Sequence, residues 1–163
     1  MAAKKKKAKN GKRKVSPIPK GYASVAPTMN VDDAKAAIAF CKKAFGAKLR
    51  TKMPGPGGKL MHAEIVIGDS VVMLSDAVME PARVSSIFLY VPNVDKTMAK
   101  AVKAGATVKM PVMDQFWGDR FGSLFDPQGN IWSIATHVED VSPAEMRKRT
   151  KAAAKQMAAG GGM

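Results

Sequence analysis

His62 and Glu64 are two residues apart, and together their side chains can do chemistry. Apolar residues alternate with them at 61, 63, 65 and 67, which predicts a strand whose apolar face packs against a helix. His62 and Glu64 then project together from the opposite face, as candidate catalytic residues. The pair can act as a general base with its orienting partner, as two ligands of a metal ion, or as a polar network between two copies of the chain.

His137 is the second of the two histidines, and its predicted strand puts it in phase with Ser133 and Ala135. His137 and Ser133 are therefore candidates for ligand contact on an open sheet face. Acidic residues follow at 139 and 140, so an ion-paired histidine at a strand end is the alternative interpretation. If His62, Glu64 and His137 converged, they would form a site of two histidines and one carboxylate, which suits a divalent metal.

The segment Gln115-Phe116-Trp117-Gly118-Asp119-Arg120 has the composition of a ligand-binding loop. It places an aromatic platform, amide and carboxylate groups and a guanidinium around a glycine, and such a loop can close over an anionic or planar molecule. The candidate contacts are Gln115, Trp117 and Arg120, joined by Phe88 and Tyr90 from a strand earlier in the same half. The alternative is an Asp–Arg pair that pins a hairpin while Trp117 covers the core.

An internal repeat provides the elements that position these residues. Gly46-Ala47 and Gly105-Ala106 lie 59 residues apart, and the turn glycines Gly68 and Gly129 lie 61 apart, so the period is about 60 residues. Each copy predicts a strand, a capped amphipathic helix that ends at Gly-Ala, and three more strands.

The predicted unit is βαβββ, twice. The first copy has strands at 22–30, 48–53, 60–67 and 70–75 and a helix capped by Asp32 or Asp33; the second has strands at 86–91, 108–112, 120–125 and 131–137 and a helix capped by Asp95. A helix covers one face of each sheet, so the open faces are expected to surround a shared cleft. The sequence therefore predicts an α+β fold with a cleft between concave mixed sheets.

Several strings in this order resemble the vicinal oxygen chelate superfamily, and within it the PhnB-like branch of glyoxalase-like proteins. They are Ala44-Phe45-Gly46-Ala47, His62-Ala63-Glu64 before Gly68-Asp69-Ser70, Leu89-Tyr90-Val91, the 115–120 segment, Asp126-Pro127-Gln128-Gly129-Asn130 and Ala135-Thr136-His137. The resemblance covers residues 17–150. It implies the glyoxalase/bleomycin resistance fold and pairing into a homodimer.

The resemblance also implies a divalent metal that stabilises an oxyanion, held by His or Gln on the first strand of each unit and Glu on the last. Those positions fall near Ala26, Ser86 and Ser133, and neither a methyl group nor a neutral hydroxyl is a competent ligand for a transition metal. We therefore expect no cofactor and a metal-free cleft, with a relocated divalent site as the alternative.

The positive charge of the chain lies at its ends. Of 27 basic and 13 acidic residues, nine basic and no acidic residues lie in 1–20, and five basic and no acidic residues lie in 146–163. The N-terminal arm 1–20 is either a solubilising tail or a nonspecific contact for nucleic acid. A capping box, Ser142-Pro143-Ala144-Glu145, starts a basic helix predicted to run to about Met157, within a C-terminal segment 142–163.

Composition excludes other classes. One cysteine cannot form an intramolecular disulfide or a thiolate zinc cluster, and no apolar run reaches the roughly 20 residues of a membrane span. No apolar segment follows the basic N-terminus as in a secretion signal, so the expected location is the cytoplasm, without a membrane partner.

These observations predict one glyoxalase-like domain over 21–141, with units at 21–80 and 84–138. The leading hypothesis is binding of a small molecule in a cleft lined by His62, Glu64, Phe88, Tyr90, Trp117, Arg120 and Ser133. The alternatives are a metal-dependent lyase, isomerase or dioxygenase with a relocated site, and a nucleic-acid-associated module that acts through its basic tails.

Overall fold

A computed structural model describes residues 15–160 and contains two four-stranded sheets. The first unit consists of β1 (Thr28–Val31), α1 (Ala34–Phe45), β2 (Lys48–Pro54), β3 (Leu60–Ile67) and β4 (Ser70–Asp76). Its strand order is β1-β4-β3-β2, with β1 parallel to β4 and the other pairs antiparallel. A parallel pair needs a crossover, which α1 and the β2–β3 hairpin provide.

The second unit repeats this topology. It consists of β5 (Ser86–Tyr90), α2 (Val94–Lys103), β6 (Thr107–Asp114), β7 (Asp119–Phe125) and β8 (Ile131–His137), in the order β5-β8-β7-β6. A third helix, α3 (Pro143–Gly160), follows. The predicted α+β fold of two βαβββ units is confirmed. Among residues 15–160, no helix combines the length and apolar composition that crossing a membrane requires.

Two predicted boundaries differ from the structure. The sequence predicts the first strand over 22–30, but β1 begins at Thr28, where pairing with Met73 of β4 begins. Proline at 27 has no N–H to donate, and only its carbonyl reaches Met73 N (2.9 Å), so the sheet does not extend further back. The cap of α2 is Asn93, whose side chain accepts from Lys96 N, rather than Asp95.

The helix-covered faces of both sheets share one core. Ala63 and Ile65 of β3 pack there with Ile134 and Trp132 of β8, and all four side chains are fully buried. The ring of Phe45, at the end of α1, lies 4.5 Å from that of Trp132, and α1 also contacts α2. The two units are therefore joined through their helix layer.

Met61 departs from the alternation that predicted it for this core, since it is 58% exposed. The pairing of β2 with β3 shifts register between Met53 and Pro54, and this irregularity buries the neighbouring Leu60 instead. The Cys41 thiol belongs to this core, and burial raises its pKa to about 12.

The sheet faces away from the helices are less covered. Phe88 and Tyr90 of β5 project from this side and are 51% and 60% exposed. A groove of about 510 Å³ runs between the two units, and Trp132 borders it together with Val25, Ile67–Val72 and Ile87–Tyr90. The open face of the second sheet and this groove share Phe88 and Tyr90.

Asp76, the last residue of β4, fastens the helix of the first unit to its sheet. Its carboxylate is buried and accepts hydrogen bonds from Ala34 N at the start of α1 (2.8 Å) and from Leu60 N at the start of β3. The negative charge also lies at the helix N-terminus, where it is stabilised by the helix dipole.

We predict that Asp76→Ala lowers the free energy of unfolding by about 3 kcal/mol, because two buried N–H donors lose their acceptor at once. Urea unfolding checks this value. Asp69→Ala is the control, since Asp69 is exposed and its side chain bonds only the adjacent Ser70 among residues 15–160, so a change within about 0.5 kcal/mol is expected there. Equal losses in the two variants would contradict the assignment.

Candidate functional site

Asp119 is the centre of a hydrogen-bonded cluster on the open face of the second sheet. Its carboxylate, 3% exposed, accepts from the Tyr90 hydroxyl and from Trp117 Nε1 on Oδ2, both at 3.0 Å. His137 Nδ1 lies 2.8 Å from Oδ1. Asp119 and His137 are directly paired across β7 and β8, so the sheet register itself brings them together.

A tight turn carries Trp117 to this cluster. Gln115 N donates to Asp119 O (2.8 Å) and Gly118 N to Gln115 O (3.1 Å), which closes the chain between β6 and β7. Gly118 has φ +97°, and a Cβ there would collide with the carbonyl oxygen of Glu139. The turn therefore requires glycine, because any side chain would displace the backbone that follows β8.

The hydrogen bonds set the protonation of the cluster. Burial alone would raise the pKa of Asp119, but the donors from His137, Tyr90 and Trp117 outweigh it and lower that pKa below its usual value. The same carboxylate raises the pKa of His137, and Asp140, 3.0 Å from Nε2, adds to this. An imidazolium that donates to both carboxylates fits these contacts.

Four aromatic rings surround this cluster, and we call Phe88, Tyr90, Trp117 and Phe121 the aromatic face. The Phe88 ring stacks on that of Phe121 at 5.7 Å and lies 5.0 Å from that of Tyr90, while the Trp117 and Phe121 rings are 6.0 Å apart. Ser133 of β8 pairs with Phe88 in register and lies half-buried beside it. Flat apolar surfaces edged by hydroxyl and imidazole groups favour a planar ligand.

A second carboxylate cluster forms on the first sheet. Glu64, 7% exposed, accepts from the Tyr22 hydroxyl (2.6 Å), and His62 Nε2 lies 3.0 Å from its other oxygen. Arg50 Nε lies 3.6 Å away, and its guanidinium also stacks on the Tyr22 ring at 4.1 Å. Hydrogen bonds from His62 and Tyr22 lower the pKa of Glu64, so this carboxylate suits an orienting role toward His62 better than a role as base.

The structure does not bring Arg120 or Gln115 to the aromatic face. The Arg120 guanidinium binds both oxygens of Asp95 on α2 (2.8 Å each) and also Asp114 (3.0 Å), so it lies on the helix-covered side. Gln115 borders a cavity of about 380 Å³ beneath α3, where its Nε2 is buried without a partner among the described residues. An Asp–Arg pair thus fastens the hairpin, although its carboxylates are Asp95 and Asp114.

The strand positions that the resemblance connects with a metal do not fit one. Ala26 precedes β1, whose first residue is Thr28; Ser86 begins β5, and Ser133 lies on β8. Hydroxyl and methyl groups are poor ligands for a divalent transition metal. In the range 15–160, no three His, Cys, Asp or Glu side chains are grouped to hold a metal ion, so His62, Glu64 and His137 do not converge.

Two residues of this site are absent from the sequence-derived candidates, namely Asp119 as a ligand-site residue and Phe121. The sequence does contain a signal for both residues, namely the turn Asp126–Gly129. A hairpin pairs residues symmetrically about its turn, so the position of the turn predicts which residues of the two strands lie opposite each other. If Phe125 pairs with Ile131, the same register pairs Phe121 with Ala135 and Asp119 with His137. The structure has all three pairs. The predicted strand begins at Arg120, one residue too late to include Asp119.

Comparisons with known proteins agree with this architecture. Residues 23–134 match the family described as the Glyoxalase/Bleomycin resistance protein/Dioxygenase superfamily. An uncharacterized protein of Mycobacterium bovis is 40% identical over 136 residues, which span 76% of this chain and 90% of the relative. An uncharacterized protein of Mycobacterium tuberculosis is also 40% identical over 136 residues, with 76% and 80% covered.

Two solved structures are similar in fold. TioX from Micromonospora sp. ML1 has a TM-score of 0.59 and 22% identity, with 71% of this chain and all of that chain (100%) covered. A PhnB protein from Bacillus cereus has a TM-score of 0.59 and 16% identity, with 70% and 99% covered. At these identities the likeness shows the fold alone. The homodimer and the cytoplasmic location stay predictions.

We predict that Asp119→Asn lowers the pKa of His137 toward its usual value and leaves only the contribution of Asp140, because the amide carries no charge to hold the imidazolium. Because the pKa of His137 is higher in the folded protein than in the unfolded chain, protonation of His137 stabilises the fold at pH values below the unfolded-state pKa. This stabilisation is lost as the pH rises through the folded-state pKa. Because the pKa of Asp119 is lower in the folded protein, its ionised form stabilises the fold at pH values above the unfolded-state pKa. This stabilisation is lost as the pH falls through the folded-state pKa. The stability difference between the two proteins is therefore largest between about pH 4 and pH 6.

Denaturant unfolding across this pH range measures that difference, and an NMR titration of the His137 ring protons follows the pKa directly. Asp140→Asn is the matched control, since Asp140 is fully exposed and is expected to shift the His137 pKa less. An unchanged His137 titration in Asp119→Asn would contradict the described cluster.

Proposed function

This chain belongs to the Glyoxalase/Bleomycin resistance protein/Dioxygenase superfamily, and on that premise we propose that it binds a small planar molecule on the aromatic face, as a member of the PhnB-like branch. The observation that carries the proposal is the exposure of Phe88 and Tyr90, 51% and 60%, on a face whose rings are already fixed. Large aromatic side chains ordinarily lose most of their surface on folding, so such a cluster left open favours a binding role.

Preorganisation supports this role. Tyr90 and Trp117 both donate to Asp119, so their rings are held in place before a ligand arrives. A ligand then loses less free energy to the ordering of side chains than it would on a flexible surface. The adjoining groove between the units offers about 510 Å³, which is within the usual size range for sites that take small molecules.

The charges of the cluster favour binding over proton transfer. Asp119 is buried beneath its three donors and has a lowered pKa, so it is a weak base. Both nitrogens of His137 face carboxylates, Asp119 on one side and Asp140 on the other. A ligand on the aromatic face thus meets stacked rings and the hydroxyls of Tyr90 and Ser133, which can orient a polar edge.

We predict that Phe88→Ala weakens binding of planar aromatic fragments, such as naphthalene and quinoline derivatives, by about 1.4 kcal/mol or more, a tenfold rise in Kd. The Phe88 ring stacks on Phe121 and also lines the groove between the units, so its removal takes apolar surface from the aromatic face and from the groove. Isothermal titration calorimetry on fragments selected with the unmodified protein measures the change.

Phe125→Ala is the matched control for that experiment. Phe125 lies on β7, the strand that carries Phe121 of the aromatic face, and is 36% exposed. It is four residues from Phe121, which is about 13 Å along the strand. Fragment affinities in this variant are expected to stay within twofold of the unmodified protein. If both substitutions weaken binding equally, or neither does, the aromatic face is not the binding site.

We also propose that this binding requires no divalent metal, because the strand positions carry hydroxyl and methyl groups. Adding zinc, nickel, manganese or ferrous ion to chelator-treated protein is expected to leave the melting temperature unchanged. A bound metal at 100 times its Kd would add about 2.7 kcal/mol to the free energy of unfolding, which a melting curve resolves. A stabilisation that disappears in His62→Ala would instead establish a relocated metal site and favour the lyase or dioxygenase alternative.

A further inference from the structure

The third helix, α3, is attached to the domain although its described side chains, at 143–156 and 158, are half-buried at most. Within the described part of the chain, no strand or other helix packs extensively against it. A cavity of about 380 Å³ lies on the side of the helix that faces the β6–β7 hairpin, and Ala152 and Ala153 border it together with Phe116. Apolar burial, which stabilises most helices in proteins, therefore contributes little to the docking of α3.

One arginine supplies the attachment that packing does not. The Arg149 guanidinium donates to both oxygens of Glu139 (2.8 and 2.7 Å) and to the carbonyl oxygen of Phe116 (3.3 Å). Its Nε donates to Glu145 in the same helix (3.1 Å). A guanidinium has five N–H donors in a planar fork, so one side chain can bind three segments at once. Arg149 thus joins α3 to the segment after β8 and to the turn between β6 and β7.

The two segments that Arg149 joins are also bonded to each other beside the aromatic face. Val138 N and Glu139 N both donate to the carbonyl oxygen of Gly118 (2.9 and 3.0 Å). Trp117 precedes Gly118 in this turn, and its indole donates to Asp119 (3.0 Å). The position of the Trp117 ring therefore depends on how the turn is held against the segment after β8.

We propose that α3 is a strap and that Arg149 is a positioning residue, which holds the Trp117 ring in the orientation that the aromatic face presents to its ligand. This inference rests on the proposed function, because it gives the helix a role in that same site. A helix with no buried side chain adds little to the core, whereas its attachment through Arg149 ends at the turn that carries Trp117. Paired hydrogen bonds between a guanidinium and a carboxylate are strong and fix geometry, which suits them to this task.

The test uses full-length variants with single substitutions. Arg149→Ala removes the guanidinium, and Glu139→Ala removes the carboxylate that it binds outside the helix. Glu145→Ala is the matched control, since it removes only the contact within α3. Asp76→Ala, which takes two buried hydrogen bonds from the first unit, controls for a general loss of stability. A melting curve checks that each variant remains folded.

The first readout is the indole N–H resonance of Trp117 in the ligand-free protein, with that of the buried Trp132 as internal reference. Arg149→Ala and Glu139→Ala are each expected to shift or broaden the Trp117 resonance and to leave that of Trp132 in place. The second readout is the Kd of planar aromatic fragments, which is expected to rise about fivefold, because the ligand must then order the Trp117 ring itself. The double variant is expected to bind no more weakly than Arg149→Ala alone, since both substitutions break the same attachment.

Two results would overturn the strap. An unchanged Trp117 resonance in Arg149→Ala, or a fragment Kd within twofold of the unmodified protein, would mean that α3 does not position the ring. An equal change in Glu145→Ala or in Asp76→Ala would assign the effect to the helix itself or to overall stability. The Trp117 resonance needs no ligand, so it tests the strap even where no planar fragment binds the unmodified protein, a result that contradicts the proposed function alone.

Discussion

A four-stranded sheet with one helix on one side has a second face that nothing in the same unit covers. This constraint determines the layout of the whole chain. The two units bury their helix-covered faces in one core, through α1, α2 and the contact of Phe45 with Trp132. The opposite faces are thereby left for ligands or other copies of the chain, and the residues with functional character lie on them.

On the second sheet, one buried carboxylate organises that open face. Asp119 would be unstable in its position as an unpaired charge, and three donors from three different elements offset the cost of its burial. In return, the carboxylate fixes the positions of Tyr90, Trp117 and His137. The first sheet uses Glu64 in a similar way to hold Tyr22 and His62. The aromatic ring described beside Glu64 is that of Tyr22, and the Arg50 guanidinium stacks on it. Four aromatic rings accompany Asp119, and this difference distinguishes the second sheet as the binding face.

The repeat is sufficient to predict both units, because its glycine turns and alternating strands are local signals. The position of the hairpin turn at Asp126–Gly129 also determines the register that pairs Asp119 with His137. The predicted strand begins one residue too late, at Arg120, and therefore omits Asp119. Other features depend on contacts distant in sequence. The engagement of Arg120 with Asp95 and the exposure of Met61 at a register shift follow from packing and pairing that residue patterns do not encode.

The most direct test of the central claim follows the two indole N–H groups of the chain by NMR while planar aromatic fragments are added. Trp117 donates to Asp119 on the aromatic face, whereas Trp132 is buried in the core and donates to Asp126. Binding on the aromatic face predicts that the Trp117 N–H resonance moves with saturation while that of Trp132 shifts much less. Movement of the Trp132 resonance alone would place the ligand deep in the groove between the units and contradict the account.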